Sequence, residues 1–460
     1  MKPHVPDLSR RAFIRHACCA AVGTTGLLSA LSQLHVLGAI AGDSATAAAL
    51  PSDYKALVCL FLQGGNDATN LLIPSDASSY AAYARTRAEL ALPSSSLLPI
   101  ATKKYSDGRN YALHPSVAEL QSLYNSGQVA LLANVGTLVR PTTLTDYRAG
   151  QNLPPQLFAH SEQLLQWQSS IPDRPSETGW GGRLADLVDA MNSNRQISMS
   201  ITLSGVNSFL RGKTVNQFAV NPNGVPSLNY GGISTDVSSA ALTSMFANQP
   251  TNALSAALGR TTLDAVNEGD TLNTALRNAP ALRTAFPGSE TARRLAMVAR
   301  LISVASTLGL KRQLFFVQLG GWDLHGAQVG AHGPLLAELS AAMNAFYNAT
   351  VELGVANQVT TFTASDFGRT YVPNAGGTDH GWGNHQLIMG GAVQGGDIYG
   401  RMPSLTVNAD DDTGRGRWIP STSVDEYNAT LATWFGVSAG NLSTVLPNIG
   451  RFKSPNLGFV

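Results

Sequence analysis

Six histidines follow residue 49 of this chain: His114, His160, His325, His332, His380 and His385. The last four fall within sixty-one residues, in the same stretch as Asp323, Asp366 and Asp379. Imidazole nitrogens and carboxylate oxygens each offer a lone pair, and the carboxylates offset a cation's charge, so such a set can surround a divalent ion. Mixed Asp/His ligation suits zinc, manganese or iron, whereas calcium takes oxygen alone. Any one of these histidines taken alone reads first as a polar loop residue bonded to backbone. Their clustering is what points to a metal or anion site.

The elements that must position them are legible as apolar runs. Ala56–Leu62, Val129–Val135, Gln313–Leu319 and Gln358–Ala364 are runs without polar alternation, as expected of strands buried on both faces. Helical periods lie between them, over His114–Tyr124, Phe158–Gln168, Glu290–Leu308 and Gly333–Leu353, and Ser423 with Glu426 forms a capping box opening a last helix to Phe435. Strands alternating with helices predict one α/β domain with a mostly parallel sheet covered on both faces. Ligands of such sheets sit at the carboxyl ends of the strands. Three of the runs end there in polar clusters: Gln63-Gly-Gly-Asn66-Asp67-Ala-Thr69-Asn70, Gly320-Gly-Trp-Asp323-Leu-His325 and Ser365-Asp366-Phe-Gly-Arg369. A fourth cluster, Asp379-His380-Gly-Trp-Gly-Asn384-His385, follows in a Gly-rich loop. Residues 190–290, rich in Ser, Thr, Asn and Ala, read as an insertion or lid, with a β-like piece at Ile197–Leu203 and a helical stretch near Asn252–Leu276.

Composition narrows the function classes. The chain has 460 residues, 44% hydrophobic and 13% charged, which excludes disorder for its bulk. A net charge of +1 without a basic block argues against nucleic acid. Residues 1–49 read as a removable export signal. Ser9-Arg10-Arg11-Ala12-Phe13-Ile14 resembles the twin-arginine motif, a mild apolar stretch follows to about Ala41, and Ala45-Thr-Ala47 or Ala47-Ala-Ala49 offers a cleavage site. The expected partner is the twin-arginine export machinery, and the expected location periplasmic or secreted. After residue 50 no apolar run is long enough to span a membrane, and Cys59 is the one cysteine left, so no internal disulfide can form.

Gly-Gly-Asn66-Asp67, Gly-Gly-Trp-Asp323-Leu-His325-Gly, Ser365-Asp366-Phe-Gly-Arg369-Thr and Gly-Gly-Thr-Asp379-His380-Gly-Trp-Gly-Asn384-His385 together resemble the DUF1501 family, from about residue 53 to the C-terminus. That family is grouped with the alkaline phosphatase/sulfatase superfamily, so the resemblance implies an alkaline-phosphatase-like three-layer α/β/α sandwich. It also implies a zinc or manganese centre of one or two ions and a small anionic phosphate or sulfate ester as substrate. Carried over by position, the metal ligands would be Asp67 (or Asn70), Asp323, His325, Asp366 and His380 or His385. The spacing Asp-x-His departs from the superfamily's commoner Asp-x-x-x-His, and Phe367 stands where a second-motif His is expected. One centre thereby loses a ligand, and a single ion is the safer expectation.

A superfamily nucleophile would be a Thr, Ser or modified Cys at a helix N-terminus. Thr69 and Ser161 are the candidates, although each reads first as a capping or turn hydroxyl. No Cys-x-Pro-x-Arg sulfatase signature occurs, which excludes a formylglycine enzyme. Arg369 either clamps a phosphoryl or sulfuryl oxygen or pairs with Asp366 or Asp379. Two functions follow: an exported metal-dependent ester hydrolase, or a non-catalytic periplasmic binding or assembly factor on the same fold. A cofactor-bearing oxidoreductase ranks last, because no dinucleotide, haem or iron–sulfur motif is present.

Overall fold

In the computed structural model, residues 52–195, 197–225, 244 and 253–460 are described, so the expected export signal lies outside the described residues. Strands β1 Lys55–Leu62, β2 Leu72–Pro74, β3 Leu98–Ile100, β4 Tyr111–Leu113, β5 Val129–Gly136, β6 Ser200–Thr202, β7 Phe218–Ala219, β8 Arg312–Leu319, β9 Val359–Ser365, β10 Asn384–Gly390, β11 Ile398–Gly400 and β12 Thr422–Ser423 form two sheets. The large one runs β11-β5-β10-β9-β1-β8-β6-β7 with β12 also on β5, and β2, β4 and β3 make a small antiparallel sheet. Four of its long strands coincide with the apolar runs read from sequence.

Alternate residues of β1 point into two cores. Ala56, Val58, Leu60 and Leu62 pack with the helices Ala118–Asn125, Glu290–Ser303 and Gln328–Glu352. Leu57, Cys59 and Phe61 pack with Trp180–Val188, Val424–Phe435 and Leu442–Val445 on the other side. The protein is therefore a three-layer α/β/α sandwich. Burial of each Leu, Val or Phe in these layers contributes about 1.5–3 kcal/mol. The predicted capping box is present, with the Ser423 hydroxyl accepting from the Glu426 N–H and the Glu426 carboxylate accepting from the Ser423 N–H.

Two features differ from the sequence reading. The stretch carrying His385 is not loop but the start of β10, which runs antiparallel to both β5 and β9. In 190–290, β6 and β7 do not lie over the sheet; they extend its edge in parallel register beyond β8. The same stretch holds the helix Ala253–Asn278. No described helix is long and apolar enough to cross a membrane.

Candidate metal centre

Strand polarity decides which polar clusters meet. β1, β8 and β9 are mutually parallel, so Gln63–Asp67, Gly320–His325 and Asp366–Arg369 emerge at one edge. Because β10 is antiparallel, the residues that precede it reach the same edge, and Arg369 and His380 are joined there by an isolated antiparallel bridge. The helix His160–Ser169 brings a fifth contribution, its first residue. Gly64, at φ +117°, lets these loops close: its N–H donates to Asp366 Oδ1 at 3.1 Å and its carbonyl accepts from Arg369 Nη1 at 3.2 Å. A Cβ there would lie 2.4 Å from the backbone nitrogen of Asp323.

Asp323 is the hub. Its Oδ1 lies 2.7 Å from Arg369 Nη1, 2.9 Å from His325 Nε2 and 3.3 Å from His380 Nε2. Its Oδ2 lies 3.4 Å from His160 Nε2. His325 Nε2 and His380 Nε2 are 2.9 Å apart. Donor separations near 3 Å are what bonds of about 2.0–2.2 Å to one ion require. Two triads gather their ligand atoms closely enough to hold an ion: His160 with Asp323 and His380, and His325 with Asp379 and His380.

Hydrogen bonds at the far side of two rings fix their tautomers. His380 Nδ1 is 2.6 Å from the Phe158 carbonyl, which can only accept, so Nδ1 carries the proton. His160 Nδ1 is 2.7 Å from the Asp366 carboxylate, which accepts likewise. Both rings therefore turn an Nε2 lone pair into the cluster, the arrangement found behind metal-bound histidines. His160 Nε2 is buried without a hydrogen-bond partner. The donor set thus fits a divalent ion.

The cluster opens to solvent at Asp323 and His325, 43% and 45% exposed, over a floor of Arg369 and Asp366. Burial pushes the Asp323 carboxyl up, but Arg369, His325 and His160 outweigh it and hold it below the usual carboxylate range. Asp379 is likewise held low, because the His380 N–H, Arg417 and the nearby imidazoles outweigh its burial. Asp366 goes the other way: burial raises it, against the hydrogen bonds from His160 and Gly64. Burial, foremost, lowers His380.

Of the residues nominated from sequence, Asp323, His325 and His380 meet. Asp366 sits behind His160 and belongs to neither triad. Asp67 is outside both triads, in a buried ion pair with Arg87, and also takes hydrogen bonds from Thr69 and Gln328. The Asn70 amide donates to the Leu90 carbonyl. His385, buried at the start of β10, accepts from the Asn134 N–H through Nδ1. Thr69 lies in a short 3-10 turn, its hydroxyl on Asp67, while Ser161 is exposed and its hydroxyl donates to Glu162. Arg369 pairs with neither Asp366 nor Asp379 but with Asp323, and donates also to Gly64 and Thr378. Sequence reasoning missed His160, which comes from a helix more than 160 residues before Asp323. No local signal marks it: the His160 ring reaches the cluster by packing on Phe367, centroids 4.7 Å apart.

No curated protein matches the chain by sequence. Solved structures with partial similarity include the C-terminal periplasmic domain of EcEptC from Escherichia coli (12% identity, 88% of each chain covered, TM-score 0.36). Others are the lipoteichoic acid synthase LtaP from Listeria monocytogenes (8% identity, 87% of this chain and 77% of that one, TM-score 0.35) and an alkaline phosphatase superfamily protein from Vibrio parahaemolyticus (11% identity, 85% and 68%, TM-score 0.36). Residues 54–417 match the DUF1501 family, described as a protein of unknown function, and the chain belongs to that family.

Proposed function

We propose that the chain is an exported, metal-dependent hydrolase that acts on a small phosphate or sulfate ester. The observation that carries this reading is the pair of imidazoles, His160 and His380, whose Nδ1 protons are tied to Asp366 and Phe158 so that both Nε2 lone pairs converge beside Asp323. A divalent ion there, zinc or manganese by its donor set, would supply a Lewis acid that polarises the ester.

The chain's own groups do the rest. Arg369 fixes Asp323 from below and, fully buried with four of its five N–H donors engaged, is not a free clamp for substrate. Arg415 and Arg417 hold positive charge at the rim beside Asp379, where an anionic ester would arrive. The hydroxyls of Thr370 and Thr378 are engaged with Asp379 and with Arg369 and Gln328. With Thr69 and Ser161 also committed elsewhere, the attacking group in this reading is water, with the exposed His325 to take its proton through Nδ1, the nitrogen turned away from Asp323. The twin-arginine-like leader supplies the route to the periplasm or beyond.

The test is elemental analysis of the exported protein, followed by an ester screen of the metal-loaded form. About one equivalent of zinc or manganese, lost in Asp323→Ala together with turnover of aryl phosphates or sulfates, is the expected outcome. Ser161→Ala should hydrolyse as well as wild type. A folded protein that takes up neither metal when offered it would end the hydrolase reading. The displaced positions of Thr69 and Ser161 favour one alternative, a periplasmic binding or assembly factor, which would bind metal and anion without turnover.

A further inference from the structure

Building on that reading, we infer that the centre takes one ion, held by His160, Asp323 and His380. His325 and Asp379 are then not ligands, and Asp366 is a positioning residue acting through His160.

Three observations separate the two triads. First, they share His380 Nε2, and one nitrogen lone pair binds one ion, so the triads exclude each other. Second, the tautomers differ. His160 Nε2 has a lone pair without a hydrogen-bond partner, whereas the 2.9 Å hydrogen bond between His325 Nε2 and His380 Nε2 has its proton on His325, because His380 is protonated at Nδ1; His380 Nε2 thus keeps the lone pair that an ion would take over. The other nitrogen of His325 is 3.9 Å from Asp379, too far for a hydrogen bond to set its tautomer. Third, the carboxylates differ in what they have left. Asp379 is engaged by Arg415, Arg417 and the His380 N–H. Asp323 Oδ1 is engaged by Arg369 beside His325 and His380, but among the described residues Oδ2 has His160 alone as its ion-pair neighbour.

The packing says why a distant helix supplies the ligand. Phe367 fills the position after Asp366 with an apolar ring, which leaves the Asp366 carboxylate without a local imidazole. His160 stacks on that ring and takes Oδ2 of Asp366, while Oδ1 is held by the Gly64 N–H. Asp366 thereby fixes both the orientation and the tautomer of His160, a role whose loss typically weakens metal binding about 10–100-fold.

The measurement is a titration of the chelator-stripped full chain with Co(II), read by calorimetry and by the ligand-field absorption of the bound ion. Wild type should bind one equivalent. His160→Gln should lose at least about 100-fold in affinity and Asp366→Asn about 10–100-fold, while His325→Gln and Asp379→Asn stay within about threefold of wild type. A reading on wild type alone removes dependence on how the variants fold: in long-range proton–nitrogen spectra of the imidazoles, zinc should move the Nε2 resonances of His160 and His380 into the metal-bound range and leave both nitrogens of His325 outside it. Two equivalents, or loss of binding in His325→Gln and Asp379→Asn with His160→Gln unaffected, would overturn the assignment while leaving a metallohydrolase intact. No binding by wild type would overturn both.

Discussion

Replacing Arg87 by Met should be among the most damaging single changes away from the proposed centre. Arg87 and Asp67 are 0% and 2% exposed and form a buried ion pair. The guanidinium also donates to the carbonyls of Thr370 and Tyr371, so it ties the β1 loop to the segment after β9. Burial pushes the Asp67 carboxyl up, but Arg87, then His332, Thr69 and Gln328, outweigh it and leave it below its ordinary value. Arg87→Met keeps the volume and strands the charge, at a cost of about 3–5 kcal/mol, with about 1 kcal/mol more for each carbonyl left unpaired. Urea unfolding followed by tryptophan fluorescence at pH 7 measures the deficit, and Arg87→Met/Asp67→Asn should recover more than half of it. The sign with pH is fixed. In wild type the Asp67 contribution is present above the unfolded carboxyl pKa and is lost as pH falls through the lower folded one. In Arg87→Met the folded pKa rises instead, so the deficit shrinks on acidification. A deficit under about 1 kcal/mol, or additive single and double variants, would refute the buried-pair argument. Asp67→Asn also bears on the metal: with Asp67 outside both triads, metal uptake should survive the change, and its loss would restore Asp67 as a ligand.

Three further outcomes are expected. Asp425, fully buried with neither oxygen hydrogen-bonded, has its pKa raised well above normal by burial. Its folded form holds a proton the unfolded chain releases, so wild type should lose stability relative to Asp425→Asn as pH rises from about 4 toward neutrality, and Asp425→Asn should be more stable at pH 7 by about 1–3 kcal/mol in urea melts. His114, His332 and His385 are each lowered to about 4, foremost by burial. Unfolding between pH 6 and 4 therefore takes up as many as three protons, a loss approaching about 4 kcal/mol per pH unit, and His385→Gln should make the measured slope shallower by about a third. Gly64→Ala, at positive φ and against the Asp323 backbone, should cost about 1–3 kcal/mol and lower metal affinity together; a variant with wild-type metal binding would show that the Gly64 contact does not hold the site in shape.

What the sequence determined by itself was the part of the protein whose physics is local. A strand buried on both faces lacks the polar alternation of a half-exposed one, so β1, β5, β8 and β9 announced themselves, and the polar residues after β1, β8 and β9 had to lie at one edge once those strands were parallel. Ser423 and Glu426 capped their helix as three-residue spacing requires. Asp323, His325 and His380 were legible because each sits in a glycine-containing polar cluster beside a strand end. The rest depended on pairing, which no local pattern encodes. β10 carries a Gly-rich lead-in that reads as loop, and only its antiparallel seat between β5 and β9 delivers His380 to the centre while burying His385 away from it. Asp67 and Asp323 look alike in sequence; a buried Arg87 from a separate helix makes the first structural, and Arg369 leaves the second half free. His160 shows the limit most clearly. Nothing within its own helix marks it, and it becomes a ligand candidate because packing against Phe367 turns its free nitrogen toward a carboxylate some 160 residues along the chain. Tautomer, partner and orientation are properties of the assembled contacts, and they are what separates a polar loop histidine from one that can hold an ion.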